Sequence, residues 1–332
     1  MRTTVRPFVS AAFALVLAAI LMGSPAAGAV TFTSGPKLVG TGASPPGGQG
    51  SAVALSADGS TAIVGASYDS LYTGAAWVFT RNAGVWTQQG DRLVGSGAVS
   101  GSVQGTSVAL SADGNTALVG GGGVWAFTRS GGVWTQQGGI LTAVEADSVA
   151  LSSDGNTALV GSQNDGSTLG AAWVFTRSGG VWTQQGGKLV GTGAVGNHIY
   201  QGLSVGLSAD GNTALVGGHG DDTYVGAAWV FTRTAGVWTQ QGDKLVGAGV
   251  VDQGRAAAIS GDGKTAILCG ENSNPFSGDG AAVVFTRVAM PSRMPAHRRE
   301  AGRDARLSSA MRATAQAAGR RRTSSAFTAS MS

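Results

Sequence analysis

Short apolar stretches separated by Gly-rich and polar breaks recur along residues 31–288, and the same order of stretches returns five times. The first piece, SAVALSADGSTAIVG at 51–65, returns at 106–120, 147–161, 203–217 and 255–270. The second, GAAWVFTR at 74–81, returns as GVWAFTR at 123–129, then at 170–177, 226–233 and 280–287. The third, GVWTQQGDRLVG at 84–95, returns from 132, 180 and 236. Four to eight β-compatible residues between turn residues read as strands. Asp-Gly between two such runs marks a hairpin, because Gly accepts the positive φ the turn needs. Each copy therefore predicts four strands: SVALS, TALVG, AAWVFTR and VWTQQGGKLVG. In the third strand Trp77 and Phe79 share one face while Ala76 and Val78 share the other, so both faces are apolar. A sheet with two apolar faces packs between two other sheets.

A four-stranded unit of about 50 residues, repeated, is the signature of a propeller blade; parallel β-helices have shorter coils and no hairpin at each junction. The sequence predicts an all-β protein, a β-propeller of four-stranded antiparallel blades with five blades visible, either whole or part of a larger ring. Residues 31–40, TFTSGPKLVG, align with the fourth strand, and the fifth copy stops after its third. These two pieces are expected to complete one mixed blade, which would leave no open sheet edge.

Composition fits this reading. The 56 Gly and 12% charged residues disfavour a helical protein, since Gly costs about 1 kcal/mol per helical position. The single Cys269 excludes a disulfide scaffold. Residues 1–29 read as a signal peptide: Arg2 and Arg6, an apolar run from Ala11 to Met22, and cleavage after Ala29. No later stretch reaches spanning length, so the mature chain is expected to be secreted, periplasmic or held at the cell surface. Residues 289–332 form a basic tail with nine Arg, read as a disordered terminus, the product of a frameshift or a basic arm. The chain's net +4 contains +2 from the signal and +7 from the tail, which leaves −5 on the repeats. That balance does not suggest a nucleic-acid partner for the folded part.

At these motifs the chain resembles FG-GAP repeat proteins, the propeller repeats of the integrin α-subunit head and of many exported bacterial proteins. The resemblance is carried by Gly105-Thr106-Ser107-Val108-Ala109-Leu110-Ser111, Val119-Gly120, Ala171-Ala172-Trp173-Val174-Phe175 and Trp182-Thr183-Gln184-Gln185. It implies a propeller with an adhesion or interaction role. Two departures stand out: Gln49-Gly50, Gln104-Gly105 and Gln201-Gly202 replace Phe-Gly, and the Asp-x-Asp-x-Asp-Gly calcium loop is absent. Calcium is therefore not carried over, and no metal or cofactor is expected.

Catalysis requires convergent titratable groups, and no His pair, Cys pair or Gly-x-Ser-x-Gly elbow is present. The repeated Asp58, Asp113, Asp154, Asp210 and Asp262 read as turn residues; a paired-carboxylate hydrolase is the remote alternative. His219, in the loop GHGDDTYVG, reads as part of a solvated polar loop. The Trp residues read as core, with sugar-stacking platforms as the lectin-like alternative. What varies between copies is the loop from second to third strand, and loops carry recognition on a fixed scaffold. Those loops offer Tyr68, Tyr72, Asn164, Asp165, Asp221, Asp222, Tyr224, Asn272 and Phe276 as candidate ligand-binding residues. The expected function is a monomeric, non-enzymatic binding or adhesion module for an extracellular protein or glycan.

Overall fold

The computed structural model describes residues 34–272 and 280–288. The signal peptide, the tail from 289 and Phe276 lie outside them, as does the side chain of Asn272. Blade 1 is β1 (Gly47–Leu55), β2 (Thr61–Tyr68), β3 (Ala75–Asn82) and β4 (Val85–Gln88). Blade 2 is β5 (Ser107–Leu110), β6 (Thr116–Gly120), β7 (Val124–Ser130) and β8 (Val133–Gln136). Blade 3 is β9 (Ser148–Leu151), β10 (Thr157–Ser162), β11 (Ala171–Ser178) and β12 (Val181–Gln184). Blade 4 is β13 (Ser204–Leu207), β14 (Thr213–Gly218), β15 (Ala227–Thr234) and β16 (Val237–Gln240). Blade 5 is β17 (Val250–Ile259), β18 (Thr265–Asn272) and β19 (Gly280–Thr286). The strands of each blade pair antiparallel in chain order, so the chain folds as the β-propeller that its repeat predicts. No helix among the described residues is long and apolar enough to cross a membrane.

Among the described residues the expected mixed blade is not formed. The fifth sheet has three strands, and residues 34–40 make no strand. Leu38 instead packs on Ala75 and Trp77 of blade 1, and a Cβ on Gly40 would lie 2.1 Å from the Trp77 ring. Gly95 sits the same way against Trp125, and Gly191 against Trp229. The segment 34–41 thus serves as the lead-in to blade 1, placed by the residue its glycine must lie against.

The repeated residues hold blade to blade. Each third-strand Trp is buried, and truncating such a ring costs about 3–5 kcal/mol. Each fourth-strand Trp lies under the Arg of its own third strand, 5.3–5.6 Å from ring centroid to guanidinium carbon. These Arg reach back: Arg129 donates to Gln89 and Thr61, Arg177 to Gln137 and Thr116, Arg233 to Gln185 and Thr157. Trp134 and Trp238 donate to the same Gln89 and Gln185. The first Gln of each pair works within its blade. Gln88, Gln136 and Gln240 each accept a backbone N–H from the lead-in of their own blade. Each fourth-strand Trp ring thus has one face taken by the Arg of its own blade.

The Asp-Gly turns serve the same end. Asp58 accepts from the Ser56 hydroxyl and the Ser60 N–H, and the pattern repeats at Asp113, Asp154, Asp210 and Asp262. Ala57, Ala112, Ser153 and Ala209 each donate a backbone N–H to the carbonyl of the equivalent turn one blade on. Gly114 needs its glycine twice: its φ is +67°, and a Cβ there would lie 2.9 Å from Thr61 Oγ1 of the preceding blade.

Candidate functional site

Three of the variable loops share one shape. In the turns Asp69–Tyr72, Asp165–Thr168 and Asp221–Tyr224, the residues after the Asp have left-handed φ, as at Ser70 (51°), Leu71 (54°), Asp222 (49°) and Thr223 (58°). Non-glycine residues adopt this conformation at a cost of roughly 1–2 kcal/mol each, so other contacts must hold them. The Asp does much of this. Asp69 pairs with Arg92, Asp165 with Lys188 and Asp221 with Lys244. Asp69 also accepts the Ser44 N–H (2.6 Å) and Asp221 the Val195 N–H (2.7 Å). The turn then docks the lead-in of the following blade: the Tyr72 carbonyl accepts from Gly101 and Val103, and the Thr168 carbonyl from Ile199 and Tyr200.

The candidate residues therefore divide. Asp165 and Asp221 are engaged by the scaffold, and Asp221 is fully buried. Asn164 is exposed beside Glu145, and Asp222 is exposed with its N–H given to the Val195 carbonyl. Tyr68 and Tyr72 are both exposed on blade 1, rings 5.4 Å apart and edge to face. Asn272 ends β18. The candidates lie on loops of different blades, and among the described residues only blades 1 and 4 bring aromatic side chains together there.

Blade 4 assembles the richer group. The His219 ring stacks on Tyr200 with centroids 4.9 Å apart and lies 5.8 Å from Tyr224; His198 is 6.0 Å from Tyr200. Gly220 permits this, since a Cβ there would lie 1.9 Å from the His198 carbonyl oxygen. His219 occupies the position of Ser67 in blade 1 and Gln163 in blade 3. Those two are satisfied by inner-strand partners, Ser51 and Asp147. In blade 4 the partner position is Leu203, and His219 Nδ1 is buried without a hydrogen bond among the described residues. Asp252, at the start of blade 5, likewise has a buried Oδ1 without a partner among them. Burial pushes the His219 pKa down; the Asp252 carboxylate opposes this and Arg255 adds to it. Burial and the Tyr224 hydroxyl raise the Tyr200 pKa. Sequence reading missed Tyr200 and Asp252 and gave His219 to solvent. The available signal was Leu203, an apolar residue where Ser51 and Asp147 are polar.

Elsewhere the fit is structural. Gln104, Gln201 and Gln253 are fully buried and accept the N–H of Gly95, Gly191 and Gly247, a structural reason for Gln at this position of the repeat. Among the described residues no three His, Cys, Asp or Glu side chains cluster as a metal site would require.

No protein-family model and no curated protein matches this chain. It is similar to the crystal structure of a functionally unknown protein from Desulfotomaculum acetoxidans, at 17% identity and a TM-score of 0.48 over 71% of this chain and 69% of that one. The propeller assignment rests on strand pairing.

Proposed function

We propose that the chain is an exported, non-enzymatic binding module of FG-GAP type, which recognises an extracellular protein or surface glycan with loops on one face of its propeller. The observation that carries this reading is the Tyr200, His219 and Tyr224 group, gathered at a variable loop where the buried His219 Nδ1 has no partner among the described residues. Burying an unpaired polar atom costs about 1–3 kcal/mol, and a ligand group that reaches His219 Nδ1 would recover it. Aromatic faces with nearby polar groups suit recognition. A non-enzymatic role is supported by the five repeated Asp residues, each of which binds its own turn.

The test is an array of extracellular proteins and glycans probed with the full chain and with a loop graft. In the graft, residues 218–225 carry the blade 3 sequence of 162–169, and Leu203→Asp supplies the partner that Gln163 has. A ligand bound by the native chain and lost in the folded graft is expected. Binding that the graft leaves unchanged, or none at all, overturns the proposal.

A further inference from the structure

The junctions among blades 1 to 4 join the trailing face of one blade to the leading face of the blade after it, with recurring parts, and blade 5 docks on blade 4 with those of them that it has. The leading face brings the Gly of Gln-Gly, two apolar inner-strand residues, the third-strand Arg and the fourth-strand Trp. The trailing face brings a second-strand Gly, an Ile or Leu two residues before it, the Thr that opens that strand and the second Gln of the fourth. The fit is closest at the two glycines. A Cβ on Gly65, Gly161 or Gly217 would lie 2.1–2.3 Å from the carbonyl oxygen of Gly105, Gly202 or Gly254. The junction of blades 2 and 3, with Ala146 for Gly, is looser.

Blade 1 has every leading part: Gly50, Val53, Leu55, Arg81 and Trp86. They are unengaged. Nothing lies within 4 Å of a Cβ on Gly50, and Val53 is 70% exposed where Val108 and Val149 are 8%. Among the described residues, Arg81 and Trp86 make none of the reach-back bonds of Arg129 and Trp134.

The trailing face of blade 5 does not match this socket. Cys269 stands at the position of Gly65 and Gly217, as its pairing with Ala256 shows, and its Cβ would meet the Gly50 carbonyl. Among the described residues blade 5 has no fourth strand to offer a Gln to Arg81 and Trp86. A second copy of this chain presents the same mismatch, since its other trailing faces are already covered.

We propose that the leading face of blade 1 is an interaction surface for a blade of this same repeat borne by another chain. That blade would have Gly at the Gly65 position, Thr at the Thr61 position and a fourth strand ending in Gln-Gln. Its hydroxyl and amide would take the Arg81 guanidinium and the Trp86 N–H, and its apolar face would cover Val53 and Leu55.

The test gives the chain such a blade. Cys269→Gly is combined with replacement of residues 288–301 by the blade 4 segment 234–247, which completes the trailing face of blade 5. Light scattering and thermal melting are then compared with the native chain. The completed face is expected to dock on the socket, either of its own chain or of a second copy. A higher melting midpoint or a larger mass follows, and Val53→Asp removes either gain. A folded chain with neither gain, or a gain that survives Val53→Asp, overturns the proposal. Should the rebuilt chain not fold, Val53→Asp in the native chain decides: melting unchanged from the native protein supports an open socket at the 70% exposed Val53, and a loss of stability refutes it.

Discussion

The four internal junctions and the two outer faces of the blade array are made from the same repeated text, yet they differ in every measure of packing. At an internal junction Ile63, Leu118, Leu159 and Leu215 are fully buried; on the outer face of blade 5 Ile267 is 38% and Val284 60% exposed. Gly105, Gly202 and Gly254 touch the preceding blade, while Gly50 touches nothing. The repeat therefore encodes half an interface twice, and stability belongs to pairs of blades more than to blades. This is the nearest-neighbour logic of repeat proteins.

The sharpest way to break the comparison is to exchange residues between the two contexts. Gly217→Cys, which copies Cys269 into an internal junction, is expected to cost about 4 kcal/mol or more, because backbone of the following blade occupies the space. Cys269→Gly should change stability by about 1 kcal/mol or less. Chemical denaturation of both variants measures this. Next in size, Val108→Asp should cost about 3–5 kcal/mol by leaving a charge buried and unpaired, whereas Val53→Asp should stay within about 0.5 kcal/mol. Equal losses for the two would mean that the leading face of blade 1 is covered.

Arg177→Ala removes bonds to Gln137 and Thr116 and should cost about 1.5–3 kcal/mol. Arg81→Ala, which among the described residues gives up its stacking on Trp86 and no side-chain hydrogen bond, should cost about 0.5–1 kcal/mol. The smallest effect is common to both contexts. The Ser56 hydroxyl and then the Ser60 N–H lower the Asp58 pKa to about 2. At Asp113 and Asp154 burial acts upward, but the hydrogen bonds from Ser and Asn outweigh it and the pKa is again lowered. A lowered folded pKa contributes stability above the unfolded value of about 3.9 that disappears as pH falls through the folded value. Melting midpoints should therefore drop between about pH 4 and 2, less steeply in Asp154→Asn; identical slopes would refute the turn as their source.

The strands and their order were legible because period-2 patterning and Asp-Gly turns act locally, and five copies exposed the frame. The mixed blade was misread because TFTSGPKLVG resembles a fourth strand in text, while Gly40 is placed by the Trp77 ring, a contact distant in sequence. Asp165 and Asp221 looked like free loop carboxylates, since Lys188 and Lys244 that claim them lie 23 residues on. The Tyr200 and His219 stack spans two chain segments that only the left-handed turn and Gly220 bring together.

The three Asp turns have one more consequence. An acidic loop usually borrows its positive charge from the medium. Here Arg92, Lys188 and Lys244 supply it on a tether, and Asp69 and Asp221 are sealed from water. At Asp69 and Asp221 the charge balance of the turn is thus written into the chain itself, two strands on from the carboxylate that needs it.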